Sequence, residues 1–177
     1  MEIKNWSQTQ RFYPKNIVEP KTLEELMELI KSSNEKMIAV GSMHSWSRVS
    51  DTNGTMINTR ELNRVLSVDS ESGIVKAEAG ILLSDFYGAL IGAGLALPIL
   101  PNVNQITLGG AIANATHGSH ASYGSFASLV EELELILADG SMLTVKRGAE
   151  GSKDRELFDA VVISFGKING GNAFNVL

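Results

Sequence analysis

The chain has no cysteine. Disulfides, thiolate metal sites and cysteine nucleophiles are therefore excluded. It also has no apolar run near the roughly 18 residues that a transmembrane helix needs. Residues 1–13 are polar and lack the apolar centre of a signal peptide, so a cytoplasmic location is the expectation. There is no long basic run, and the net charge is −5. A nucleic-acid surface usually shows a basic patch, so no nucleic-acid partner is expected. No Gly-x-Ser-x-Gly elbow is present, which argues against a hydrolase. No Gly-x-Gly-x-x-Gly follows a strand, which argues against a Rossmann site.

What is there suits a globular protein. The 177 residues are 44% hydrophobic and 20% charged, enough for one domain with a sizeable core. Pro14 and Pro20 bias the lead-in toward extended backbone, with a short strand expected over residues 16–20. Thr22 and Glu25 form a capping box in which each side chain reaches the other's backbone N–H. Leu23, Leu26, Met27 and Ile30 then fall on one helical face.

Met37-Ile38-Ala39-Val40 reads as a buried strand that breaks at Gly41-Ser42 into a corner carrying Met43, His44, Ser45 and Trp46. Successive N–H groups released from strand pairing can form a concave nest for an anion such as a pyrophosphate. The stretch fits the seat of a dinucleotide cofactor with His44 beside its reactive ring. It fits equally an ordinary strand-to-loop corner with a surface histidine.

Further on, residues 65–69 and 74–79 alternate as a hairpin. Residues 82–93 form a helix with Leu83, Phe86, Tyr87 and Leu90 on one side, ended by Gly94. Residues 107–119 are small almost throughout. Glycine and alanine together suit a place where backbone must approach something closely. Leu133, Leu135 and Leu137 alternate with glutamates in a strand, Asp139-Gly140 is a hairpin turn, and residues 142–146 return. A helix over 154–160 should pack Leu157 and Phe158, and residues 169–177 fit no regular element. Mixed strands, helices and hairpins indicate an α+β fold.

With both glycine-rich stretches in view, the chain resembles the PCMH-type FAD-binding domain of the vanillyl-alcohol-oxidase superfamily. It is most similar to the sugar-lactone and alditol oxidases. The resemblance rests on an ordered series of motifs: Asn5-Trp6-Ser7, Ile17-Val18-Glu19-Pro20, Val40-Gly41-Ser42-Met43-His44-Ser45, Glu78-Ala79-Gly80, Thr107-Leu108-Gly109-Gly110-Ala111-Ile112-Ala113, Thr116-His117-Gly118-Ser119, Ala138-Asp139-Gly140 and Ser164-Phe165-Gly166.

The resemblance implies two α/β subdomains with the FAD cleft between them, residues 1–60 and 61–168, followed by an off-pattern tail, 169–177. It implies that Val40, Gly41, Ser42, Met43, His44 and Ser45 wrap the FAD pyrophosphate. It makes His44 the candidate for a covalent bond to the 8α-methyl of the flavin. Asn102, Thr107, Gly110, Asn114, Ala115, Thr116 and His117 would line the other side, and Val162 would approach the adenosine half. Two residues depart from the pattern. Met43 stands where many relatives have Gly or Arg, and Asn114 where Thr or a small residue is common.

The similarity stops near Lys167-Ile168, where family oxidases continue into a substrate domain. The chain therefore reads as truncated and inactive alone, taking a sugar-type substrate only with the missing domain. Self-association through uncovered apolar surface is a further expectation. A cofactor-free remnant, or an FAD subunit that needs a separate substrate-binding chain, are the other readings. His117 and His120 lie three apart without a nearby carboxylate or cysteine, so no metal site is expected. His117 also suits a structural role, and Glu131, Glu132 and Glu134 read as a solvated strand face.

Overall fold

The computed structural model describes residues 2–165 and 174–176. The expectations for Gly166, Lys167, Ile168 and residues 169–173 fall outside the described residues. Among the described residues, four sheets and four α-helices form the mixed arrangement expected of an α+β fold.

The first half is built on a parallel sheet of β3 (Asn16–Val18), β5 (Thr55–Asn58) and β4 (Met37–Val40), in that order. The strand that follows the first helix therefore does not pair with the one before it; β5 separates them. Both faces are covered, as parallel sheets require. Alternate residues of β4 serve opposite cores. Met37 packs with Ile57 and with Leu26 and Ile30 of helix α1 (Leu23–Ser32). Ile38 and Val40 pack with Met56 on the other face, against Phe12. Phe12 comes from β2 (Arg11–Phe12), which pairs with β1 (Ile3–Lys4) in an N-terminal hairpin.

Helix α1 is capped as expected at one end of the box only. The Glu25 N–H donates to Thr22 Oγ1 at 3.2 Å, but the Glu25 carboxylate accepts from Lys21, one residue earlier than a reciprocal box would have it.

The second half holds the larger core. It comprises the hairpin β6 (Val65–Asp69) and β7 (Ile74–Ala77), helices α2 (Leu83–Gly92) and α3 (Leu108–Ala113), strands β8 (Glu132–Ile136) and β9 (Met142–Lys146), and helix α4 (Lys153–Val162). Strand β10 (Phe174–Val176) pairs antiparallel with β8. That corrects the expectation that residues 169–177 hold no regular element. Three residues are too short for periodicity to announce a strand, and pairing with a hydrophobic neighbour decides it. Helix α4 buries Phe158 completely, but Leu157 is 45% exposed. The helix extends through Val161 and Val162, and these two supply the apolar face that Leu157 does not.

Apolar packing crosses residue 60. Ile136, at the end of β8, is fully buried among Leu26, Ile30 and Ile57 of the first half. The β8–β9 turn also rests on α1: a Cβ on Gly140 would lie 2.8 Å from Lys31 Cβ and 3.0 Å from the Met27 carbonyl. Gly140 has φ +79°, so glycine is required there twice over.

Candidate functional site: a cleft between a backbone corner and a small-residue helix

Strand β4 delivers the chain into the corner at residues 41–47. Opposite stands α3, preceded by its N-cap Thr107. The two meet directly. A Cβ on Gly41 would lie 2.1 Å from Thr107 Oγ1 and 2.7 Å from its Cγ2. Thr107 is 3% exposed and cannot swing away. Glycine at 41 is what lets the corner seat against α3. Beside this contact opens a cleft of about 490 Å³, within the roughly 300–1,000 Å³ typical of small-molecule sites.

The corner is polarised by its hydrogen bonds. Three carbonyls in and just before it are tied back into the protein. Val40 O accepts from the Thr59 N–H at 2.9 Å, Met43 O from the Trp6 N–H at 2.8 Å, and Ser45 O from Asn5 Nδ2 at 3.0 Å. None of the N–H groups of residues 41–47 donates a hydrogen bond among the described residues. A run of unspent amides above anchored carbonyls is the geometry of an anion nest. Met43 adopts φ +55°, a left-handed conformation that costs a non-glycine residue roughly 1–2 kcal/mol. The strain is held by the Trp6 bond to its carbonyl and by packing of the Met43 side chain on the Phe12 core.

The α3 wall works differently. Its first amides are already used: Leu108 donates to Ile81 O and Gly109 to Ala79 O, both at 2.8 Å, and Gly110 to Thr107 Oγ1 at 3.3 Å. A Cβ on Gly109 would come within 2.8 Å of Ala79 Cβ. The glycines here let the helix approach the end of β7. What α3 offers the cleft is a smooth, small-residue surface.

Of the residues expected at the site, Val40, Gly41, Ser42, Met43, His44, Ser45, Thr107, Gly110, Asn114 and Thr116 line this one cleft. Asn102, Ala115, His117 and Val162 do not. Asn102 and His117 are exposed, and His117 Nδ1 lies 2.9 Å from the Gly118 carbonyl. Ala115 takes φ +53° just beyond the C-cap of α3, and Val162 is buried in the core beneath α4. Asn114 turns its side chain back, donating from Nδ2 to Gly110 O at 2.9 Å.

Several lining residues carry no recognisable signal of their own. Trp6 and Ala79 belong to the quoted motifs but have no reason, in sequence, to face a cleft. Trp46, Val103 and Phe165 reach it as exposed apolar residues at the rim.

Among the described residues the cleft is lined by no Asp, Glu, Lys or Arg, and His44 is the one titratable side chain that faces it. Its imidazole stacks on the Trp6 indole, with ring centroids 4.7 Å apart and planes 17° from parallel. Burial holds its pKa below the ordinary histidine value, so the neutral, nucleophilic form prevails near pH 7. An anion here would be held by backbone amides, and an apolar ring system by the methyl- and glycine-lined wall. Those two requirements are the ones a flavin dinucleotide makes.

Comparison with known proteins agrees. The family of FAD binding domains matches residues 14–146.

The chain belongs to the FAD binding domain family. It is 35% identical over 169 residues to L-gulonolactone oxidase of Bos taurus, covering 94% of this chain and 38% of that protein. It is 28% identical over 148 residues to alditol oxidase of a Streptomyces species, covering 82% of this chain and 36% of that protein. Among solved structures, cholesterol oxidase from Brevibacterium sterolicum matches with a TM-score of 0.77 at 20% identity. That match covers 99% of this chain and 35% of the other, and establishes the shared fold. The chain thus spans a little over a third of these relatives. Among the described residues, no helix is long and apolar enough to cross a membrane.

Proposed function

We propose that this chain is the FAD-holding part of an oxidoreductase acting on CH–OH groups of sugar lactones or alditols, with Val40, Gly41, Ser42, Met43, His44 and Ser45 seating the pyrophosphate and His44 bonded covalently to the flavin. The observation that carries it is the combination in one wall of unspent backbone amides and a neutral imidazole. When bound, FAD supplies the acceptor for a hydride from the substrate carbon. The chain's own contribution is to bind and orient.

His44 would act as nucleophile toward the 8α-methyl. One N–C bond would replace the His44 N–H and a methyl C–H, with the bound flavin itself serving as the two-electron acceptor. Asn114, Ala115, Thr116 and His117 would serve as the far boundary of the site, with Asn102, and Val162 as the support behind the adenosine half. The subdomain split at residue 60 and a cytoplasmic location belong to the same proposal.

Turnover by this chain alone should be negligible. Oxidation of an alcohol needs a group to take the hydroxyl proton. Among the described residues that line the cleft, His44 is the one titratable side chain, and bonding to the flavin would take it from that work. The exposed rim of Trp46 (70%), Phe165 (51%) and Val103 (45%) favours a cleft that a further domain or a separate chain covers.

Intact mass and the visible spectrum after acid precipitation test the assignment. The expected result is one FAD per chain, retained in the precipitate, with no peroxide formed on adding xylitol or gulonolactone. A chain of protein mass alone, colourless after incubation with excess FAD, overturns it.

A further inference from the structure

Trp6 is 64% exposed, yet it is among the most tightly specified residues near the cleft. The hairpin of β1 and β2 is closed by a turn at residues 5–9 organised on one buried asparagine. Asn5 is 3% exposed. Its Oδ1 accepts from the Gln10 N–H at 2.9 Å, and its Nδ2 reaches Ser7 Oγ at 2.9 Å and Ser45 O at 3.0 Å. Gln8 takes φ +59° so that its N–H can return to Asn5 O at 2.9 Å. The Trp6 N–H donates to Met43 O at 2.8 Å.

The turn therefore grips the carbonyls on either side of His44, those of residues 43 and 45. Its Trp6 side chain lies flat on the imidazole. A mostly solvated indole adds little to the core. Satisfying Asn5 and tolerating a left-handed Gln8 are costs that hairpin closure does not require, since two-residue turns close a hairpin more simply.

We propose that the turn at residues 5–9 is a positioning device for His44, acting through Trp6: two backbone anchors fix the corner, and the stacked indole covers one face of the imidazole and fixes its rotation toward the bound flavin. This rests on the flavin reading above and deepens it. Trp6 is a positioning residue here, since its contact is with His44. The stack also contributes to the partial burial that lowers the imidazole's pKa. Of the charged side chains on the packed elements, Glu2 pairs with Arg11 and Arg48 with Asp51, each at 2.6 Å, and Lys4 is exposed on β1.

The test uses the whole chain and two independent readings. Without cofactor, the His44 ring is titrated by NMR in the wild type, Trp6→Ala and Trp6→Phe. Removing the indole should raise the midpoint toward that of an exposed histidine, and Phe should restore it. In a Trp46→Phe background, Trp6 fluorescence should fall as His44 gains its proton, a step that His44→Gln removes. With FAD added, acid-stable flavin should form about tenfold more slowly or worse in Trp6→Ala, and near the wild-type rate in Trp6→Phe. An unmoved His44 midpoint in Trp6→Ala, or a Trp6 emission indifferent to His44 protonation, overturns the proposal. Failure of every variant, wild type included, to take up flavin overturns the functional reading instead and leaves the titration to judge the stack.

Discussion

The two walls of the cleft share a composition and divide the labour. Both are rich in glycine and serine or alanine, and both resemble backbone cradles when read as letters. The corner at 41–47 keeps its amides free and anchors the carbonyls of Met43 and Ser45. Helix α3 has given its first amides to the end of β7 and to its own cap. A glycine-rich stretch therefore has two distinct uses. One exposes backbone polarity to a ligand, and the other lets a helix approach a strand. Only the hydrogen-bond accounting separates them.

That contrast can be broken experimentally. The largest effect is expected from His44→Ala, which should abolish acid-stable flavin entirely while leaving the melting temperature nearly unchanged; retained linkage would place the nucleophile elsewhere. Next comes Gly41→Ala. The added methyl meets the buried Thr107. Overpacking of this kind costs about 1–3 kcal/mol, and the displaced corner should lose FAD affinity at least tenfold by equilibrium titration.

Thr107→Ala probes the other wall. It removes the α3 cap, at about 1 kcal/mol, and should weaken flavin binding far less than Gly41→Ala; an equal loss would mean that α3 also supplies a polar contact. Outside both walls, Gly88→Ala on α2 meets nothing within 4 Å. It should stabilise by about 0.5–1 kcal/mol in urea unfolding and leave flavin binding untouched.

The smallest effect concerns pH. Burial depresses the His44 pKa in the folded chain, so the unfolded chain binds more protons between that depressed value and the ordinary one of about 6.5. Stability of the flavin-free chain should rise with pH across this window and be lost as pH falls through it. His44→Gln should flatten that part of the profile, measured by urea midpoints between pH 5 and 7.

Much of the fold was legible in local pattern. The apolar run of β4, the Thr22 cap, the spacing of Leu26 and Ile30, and the Asp139-Gly140 turn each carry their own physics and appear where that physics puts them. Val161 and Val162 show the limit. An apolar pair suits a strand or the end of a helix, and packing beneath the second core assigned it to α4. Phe174–Val176 is a strand because β8 offers a free edge, which no three-letter stretch records.

For the site, the order of short motifs was enough to identify a flavin domain and to single out His44, since residue types and spacing survive in one dimension. Which amides remain free, that Gly41 touches Thr107, and that Trp6 covers His44 were settled only by folding. Hydrogen-bond donors are spent or spared by partners up to 40 residues away, and exposure of a ring is a property of its neighbours in space.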